Sequence, residues 1–188
     1  MQEFGAITGV FMPDAITQTY IAHLKLKVNR SNSLYFQPDK GTIYAGTFEI
    51  GLSKVESTIA VYPSPDNVVP VSEKFGLDLD DVFIGACTTT EEELILAALV
   101  LQIGLKENLP IKTGKRRVTP GSLPIVDKLR SLGLLDVYEA VGFTLGVPGC
   151  SYCIAMTADQ ASPGEVWLSS QNRNFKNRMG RFLVPVAY

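Results

Sequence analysis

The chain has 188 residues, 46% of them apolar and 19% charged, with a net charge of −2 and a pI near 5.5. That length suits one domain, or one with a small appendage, and the apolar fraction is enough for a sizeable core. Wholesale disorder is excluded, and the acidic balance excludes a nucleic-acid binder of the basic-face type.

No secretory pattern opens the sequence, since Gln2 and Glu3 stand where a basic region would be. The next segment, GAITGVFMPD, is apolar, contains glycine and ends in a Pro-Asp stop. An acid near a terminus is ordinarily solvated; Glu3, leading into an apolar run, is a candidate to enter a site. Asp14 is placed to cap a helix running to about Lys27, with Ile16, Tyr20 and Leu24 on one face. Residues 29–57 carry turn signals around short β-like runs such as TIYAGTFEI. TIAVYPSPDNVVPV reads as a strand and a proline-broken surface connection.

After Leu77 the pattern changes. DVFIGA is a short strand and TTEEELILAALVLQIGL a helix, with Thr90 and Glu93 at capping-box spacing. The helix is apolar nearly all round past Leu94, which predicts burial beside a sheet. Its run Leu94–Leu101 is too short to span a bilayer. KRRVTPGS reads as strand and turn, LPIVDKLRSLG and LLDVYEAVG as helices ending at Gly133 and Gly142, and FTLGV as a strand. Alternating strands and helices predict an α/β fold, with α/β/α layers around a mostly parallel sheet. The division expected is 1–77, a smaller α+β extension, and 78–188, the α/β domain.

Three cysteines, an odd number without secretory context, make no disulfide framework and suit an intracellular setting. Cys87 follows one predicted strand; Cys150 and Cys153 follow another. Ligands in open α/β sheets bind beyond the carboxyl ends of strands, so the three sulfurs can converge. Each cysteine alone reads as a small buried hydrophobe. The C-x-x-C pair also fits a redox pair or half a zinc site, although zinc wants a fourth ligand. The one histidine, His23, lies on a helix face expected to be solvated. Three thiolates without a fourth suit a 4Fe–4S cluster with one iron open to substrate. The segment SSQNRNFKNRMGR places Arg173, Lys176, Arg178 and Arg181 within nine positions. It reads either as a solvated basic loop or as a clamp for carboxylate or phosphate. Asn172 and Asn174 add amide donors to it. GKRR at 114–117 lacks the phosphate-loop frame and reads as basic surface.

Taken in order, EFGAITGVF, VFIGACTTT, VTPGS, GFTLGVPGCSYCIAM and DQASPGEVWLSSQNRNFKNRMG resemble the aconitase superfamily, including the large subunit of isopropylmalate isomerase (dehydratase). The resemblance covers residues 3–180. It implies a hydro-lyase that removes and re-adds water across a small 2-hydroxy di- or tricarboxylate. It implies that Cys87, Cys150 and Cys153 hold a 4Fe–4S cluster and that Asn172 hydrogen-bonds near it. Arg173 and Arg178 would bind substrate carboxylates, and catalytic Glu3 would lie beside the open iron and its exchanging water. The family pattern has asparagine after Cys-Thr, where this chain has Thr89. Its catalytic serine lies on a swivel domain or a separate small subunit, either of which is an expected partner. Nucleic acid and membrane are not. Its Asp-Ser-His region precedes the segment matched here, so both ends are expected to be cut and the chain to be inactive alone. The alternative is a cluster-free α/β binding module, or a degenerate copy without catalysis. The compartment expected is cytoplasmic or mitochondrial.

Overall fold

The structure, a computed structural model, describes residues 7–23, 35–154, 160–171, 174–176, 178–179 and 186–187. The chain divides into two compact units, Met1–Val55 and Glu56–Tyr188.

The first unit holds one described helix, α1 (Ala15–His23). Asp14 caps it: its carboxylate accepts from the Thr17 backbone N–H at 2.8 Å and the Thr17 hydroxyl at 2.9 Å. Those bonds, the backbone one first, hold the Asp14 carboxyl below its ordinary value. His23 is exposed in the last turn, as its place in the sequence suggests; positions 24–27 of the expected helix lie outside the described residues. TIYAGTFEI forms no strand, and Ile43 and Phe48 stand exposed. A strand needs a neighbour to take up its N–H and C=O groups, and no described residue of this unit supplies one.

The second unit begins with an antiparallel ribbon, β1 (Thr58–Ala60) and β2 (Val68–Pro70). The remaining strands are β3 (Asp81–Gly85), β4 (Arg116–Thr119), β5 (Phe143–Leu145), β6 (Trp167–Ser169) and β7 (Val186–Ala187). They form one sheet in the order β5-β4-β3-β6-β7, parallel at every pairing. The helices α2 (Glu91–Lys106), α3 (Leu123–Ser131) and α4 (Leu134–Ala140) connect β3 to β4 and β4 to β5. This is the α/β architecture the sequence predicts. None of the described helices is long and apolar enough to cross a membrane.

Period-two alternation divides the core between the two faces of the sheet. On one face Leu94 and Ala98 of α2, Leu129 of α3, and Leu134 and Tyr138 of α4 pack with Val118 and Phe143. Val82 and Ile84 of β3 join them. Phe83 turns to the other face and packs with Tyr152, Ala161, Trp167 and Met179. That layer comes from loops and turns among the described residues, not from regular helix. The capping box of α2 is complete: Thr90 Oγ1 accepts from the Glu93 N–H, and the Glu93 carboxylate accepts from the Thr90 N–H. Burial of α2 is one-sided, unlike the expectation from its composition. Leu96, Leu99, Val100 and Ile103 remain exposed, because the sheet, α3 and α4 all meet the helix on its Leu94–Ala98 side.

Tyr138 joins two helices through its hydroxyl, which donates to the Leu94 carbonyl at 2.7 Å in the buried core. Burial pushes its phenol from 10 up to about 12. Tyr138→Phe removes the hydrogen bond and is expected to cost about 1 kcal/mol at neutral pH. Below pH 10 folded and unfolded chains both keep the proton. Between 10 and about 12 the unfolded chain releases it first, so wild-type stability falls as pH rises. Denaturant unfolding across an alkaline series should show the gap between wild type and variant narrowing through that window.

Candidate functional site

The chain runs outward from β3 to β4 to β5, then returns to β6 on the other side of β3. Connections from β3 and β6 therefore leave in opposite directions, and a crevice opens beyond their carboxyl ends. Cys87 stands there, two residues past the end of β3. Its loop is fixed by short bonds: the Ala86 N–H donates to Thr89 Oγ1 at 2.5 Å, and the Thr89 N–H returns to the Ala86 carbonyl at 3.0 Å. Thr89 thus closes the cysteine turn just before the α2 cap. The Gly85 N–H donates to Ser170 Oγ at 2.8 Å, tying β3 to the segment after β6.

Two glycines let the loops approach. Gly85 has φ +98°, and a Cβ there would sit 2.0 Å from the Thr119 carbonyl oxygen. At Gly121, in the Pro-Gly-Ser segment, a Cβ would lie 2.3 Å from the Thr89 carbonyl oxygen. The second contact seats the loop after β4 directly against the Cys87 turn.

Cys150 and Cys153 follow β5, two strands away from β3. The 3₁₀ turn Ser151–Ile154 brings them back. The Cys153 N–H donates to the Cys150 carbonyl at 3.0 Å, and Ser151 takes a left-handed φ of 48°. Between the cysteines, Tyr152 is 2% exposed. It packs edge-on against Phe83 at 4.7 Å and Trp167 at 5.3 Å.

The result is a group of free thiols. Cys87 and Cys150 are exposed and Cys153 is half-buried. The Cys87 thiol is held above its ordinary value, first by partial burial, then by its hydrogen bond to Cys150 and the charges of Cys150 and Cys153. A thiolate at Cys87 is therefore disfavoured beside Cys150 and Cys153 unless a cation compensates it. No three His, Cys, Asp or Glu side chains among the described residues are arranged to share one metal ion. The described residues therefore form no mononuclear site of three such side chains. In a cubane cluster each thiolate binds a different iron, so its thiols surround the cluster and need not meet at one ion.

Of the other candidates from the sequence, Arg178 lies at the cysteine turn, where its guanidinium donates to the Cys153 carbonyl at 2.8 Å. Glu3, Asn172 and Arg173 lie outside the described residues. Asn174 is fully buried and its amide donates to the Ala60 carbonyl at 3.1 Å, so it ties this segment to the β-ribbon.

Three contributors escape a reading of the sequence alone. Tyr152 is one. Gln171 is another: it is buried, its amide reaches the Cys150 carbonyl at 3.5 Å, and its Oε1 has no partner among the described residues. Ser170 is the third. All three depend on β6, whose three residues have no flanking helix among the described residues to advertise a strand. A cavity of about 480 Å³ opens beside the crevice, lined by Thr88, Thr89, Glu93, Ser170 and Gln171 among others. A cleft of about 350 Å³ at the opposite end of the strands is apolar, lined by Val100, Leu105 and Ile111, and holds none of these groups.

A parallel α/β sheet that presents thiols at its switch point defines a class of site, and comparison with known proteins gives the family. Residues 74–184 match the model of the aconitase family (aconitate hydratase), and the chain belongs to that family. It is 62% identical over 178 residues to the aconitase htyD of Aspergillus rugulosus, covering 95% of this chain and 20% of that protein. Identity is 58% over 179 residues to the 3-isopropylmalate dehydratase large subunit gloJ of Glarea lozoyensis, covering 95% and 20%. A methanogen homoaconitase large subunit from Methanocaldococcus jannaschii is 31% identical over 192 residues, 95% of this chain and 43% of its own length. The chain spans about a fifth of the length of the two fungal relatives.

Gly121→Ala tests the loop contact. The added methyl meets backbone, which cannot swing aside, so the variant should lose about 1–3 kcal/mol of stability. A denaturation midpoint equal to wild type would show that the two loops are not in contact.

Proposed function

We propose that this chain is the cluster-bearing part of an aconitase-type hydro-lyase acting on a 2-hydroxy di- or tricarboxylate. On this reading residues 78–188 are the cluster-binding domain and residues 1–77 belong to the region before it. The observation that supports the reading is the approach of Cys87 to Cys150, with Cys153 in electrostatic range, at the switch point of the sheet. Family membership and relatives named as aconitase and as dehydratase large subunits support it as well.

The donor set suits a 4Fe–4S cluster: three free thiols from two loops, with no fourth cysteine in the sequence. Cys87, Cys150 and Cys153 would hold it. When bound, the cluster supplies a Lewis-acidic iron that polarises the substrate hydroxyl. The chain's own groups bind and orient. Arg173 and Arg178 receive the substrate carboxylates through guanidinium N–H groups. Arg178 spends one donor on Cys153 and keeps others, since a guanidinium carries five. By the family resemblance, Asn172 would hydrogen-bond near the cluster, and Glu3 would serve the open iron and the water it exchanges. The base that takes the adjacent C–H proton comes from outside these residues, on a swivel domain or a small subunit. Catalytic groups that act as a unit fail together, so the 188 residues alone should not turn over.

Anaerobic reconstitution with iron and sulfide tests the proposal. Wild type should gain a broad visible charge-transfer band, with iron bound in proportion to protein. Cys87→Ser, Cys150→Ser and Cys153→Ser should each lose most of that band while keeping the far-ultraviolet circular dichroism of the fold. A folded wild type that takes up no iron would sink the cluster assignment.

A further inference from the structure

Between the two cysteines stands a residue with no thiol chemistry of its own. The geometry points to Tyr152 as the positioning residue of the site: its buried ring carries Cys150 and Cys153 from the edge of the sheet to the end of β3. The inference rests on the proposed grouping of the three thiols and adds what enforces it.

Distance sets the problem. Neighbouring strands lie about 4.8 Å apart, so the turn after β5 must cross roughly 10 Å to reach the end of β3. Nothing in its own strand pairing carries it there, because β5 pairs with β4. Tyr152 supplies the anchor. Its ring stands edge-on to Phe83 at 4.7 Å and 74°, and to Trp167 at 5.3 Å and 75°. Phe83 pairs with Ser169 and Asp81 with Trp167 in register, so Phe83 and Trp167 are diagonal neighbours across β3 and β6. The ring therefore straddles the two strands that flank the switch point.

The turn type then sorts the side chains. Cys150 immediately precedes the turn and its carbonyl accepts from the Cys153 N–H at 3.0 Å, so the two cysteines bracket Tyr152 across the closing bond, while the ring between them points into the core at 2% exposure. Seating the ring drives both thiols outward, toward Cys87. Arg178 on the Cys153 carbonyl and Gln171 on the Cys150 carbonyl fasten the two ends of the turn, and both come from the segment that follows β6. The inference assigns the placement to the ring, which Tyr152→Phe keeps.

The test uses the full 188-residue chain with Tyr152→Phe, Tyr152→Leu and Tyr152→Ala, each checked for fold by circular dichroism. The leucine variant keeps buried apolar volume without the ring and serves if the alanine variant unfolds. One readout is disulfide trapping of the iron-free protein with diamide, which takes up the two hydrogens the paired thiols release. Peptide mapping then gives the ratio of Cys87–Cys150 to Cys150–Cys153 bridges. Wild type and Tyr152→Phe should favour Cys87–Cys150. The folded variants without the ring should drop that ratio by about tenfold, since a disulfide tolerates little misplacement of its partners. The second readout is iron bound after reconstitution, which should fall in parallel. A folded ringless variant with the wild-type bridge ratio overturns the inference. Bridge ratios that shift as expected in a wild type that binds no iron would uphold Tyr152 and sink the cluster. Equal iron and equal ratios in all variants would do the reverse.

Discussion

β3 pairs in parallel with β4 on one side and β6 on the other, and every feature of the thiol site depends on that double pairing. It makes β3 the strand at which the direction of chain travel reverses. Loops at the ends of β3 and β6 part there, and the crevice between them is a property of topology before any side chain is placed. Cys87 needs only to follow β3 closely. Phe83 and Trp167, two positions apart in register, then give the returning turn a floor on which to sit.

Packing on the two faces divides the labour. The helical face, with Leu94, Leu129 and Tyr138 at its centre, is a conventional buried core that secures β3, β4 and β5. The opposite face is covered by short loops whose aromatic and polar contacts also place the thiols. Stability on that face is therefore linked to the site: Tyr152 packs there while it sits between the cysteines, and Arg178 and Gln171 donate to carbonyls of the same turn. Close backbone approach at Gly85 and Gly121 leaves little slack for the loops to move independently.

Much of this is legible in the sequence, and the limits have physical causes. Strands β3, β4 and β5 and helices α2 to α4 announce themselves through apolar runs, the Thr90–Glu93 box and terminal glycines, signals that act within a few residues. The placement of all three cysteines after strands follows from those elements, and the aconitase-like motifs reinforce it. What local patterns do not carry is pairing between distant segments. β6 is three residues long and flanked by loops, so its insertion beside β3, and with it the switch point, emerges only in three dimensions. TIYAGTFEI shows the converse: strand-like composition forms no strand where no described neighbour supplies hydrogen bonds. The apolar circumference of α2 misleads about burial for a related reason, since hydrophobicity records what a helix could bury and not how many elements surround it. The roles of Tyr152 and Gln171 depend on side chains meeting across the sheet.

The account stands or falls on what the three thiols hold. Native mass spectrometry of the anaerobically reconstituted chain measures it directly, because each inorganic atom adds a known mass. A main species carrying four irons and four sulfides on the wild type, absent from the Cys87→Ser protein, is the result the account predicts. A folded chain that keeps its apo mass, or one that carries a single metal ion on the cysteine pair, would contradict it.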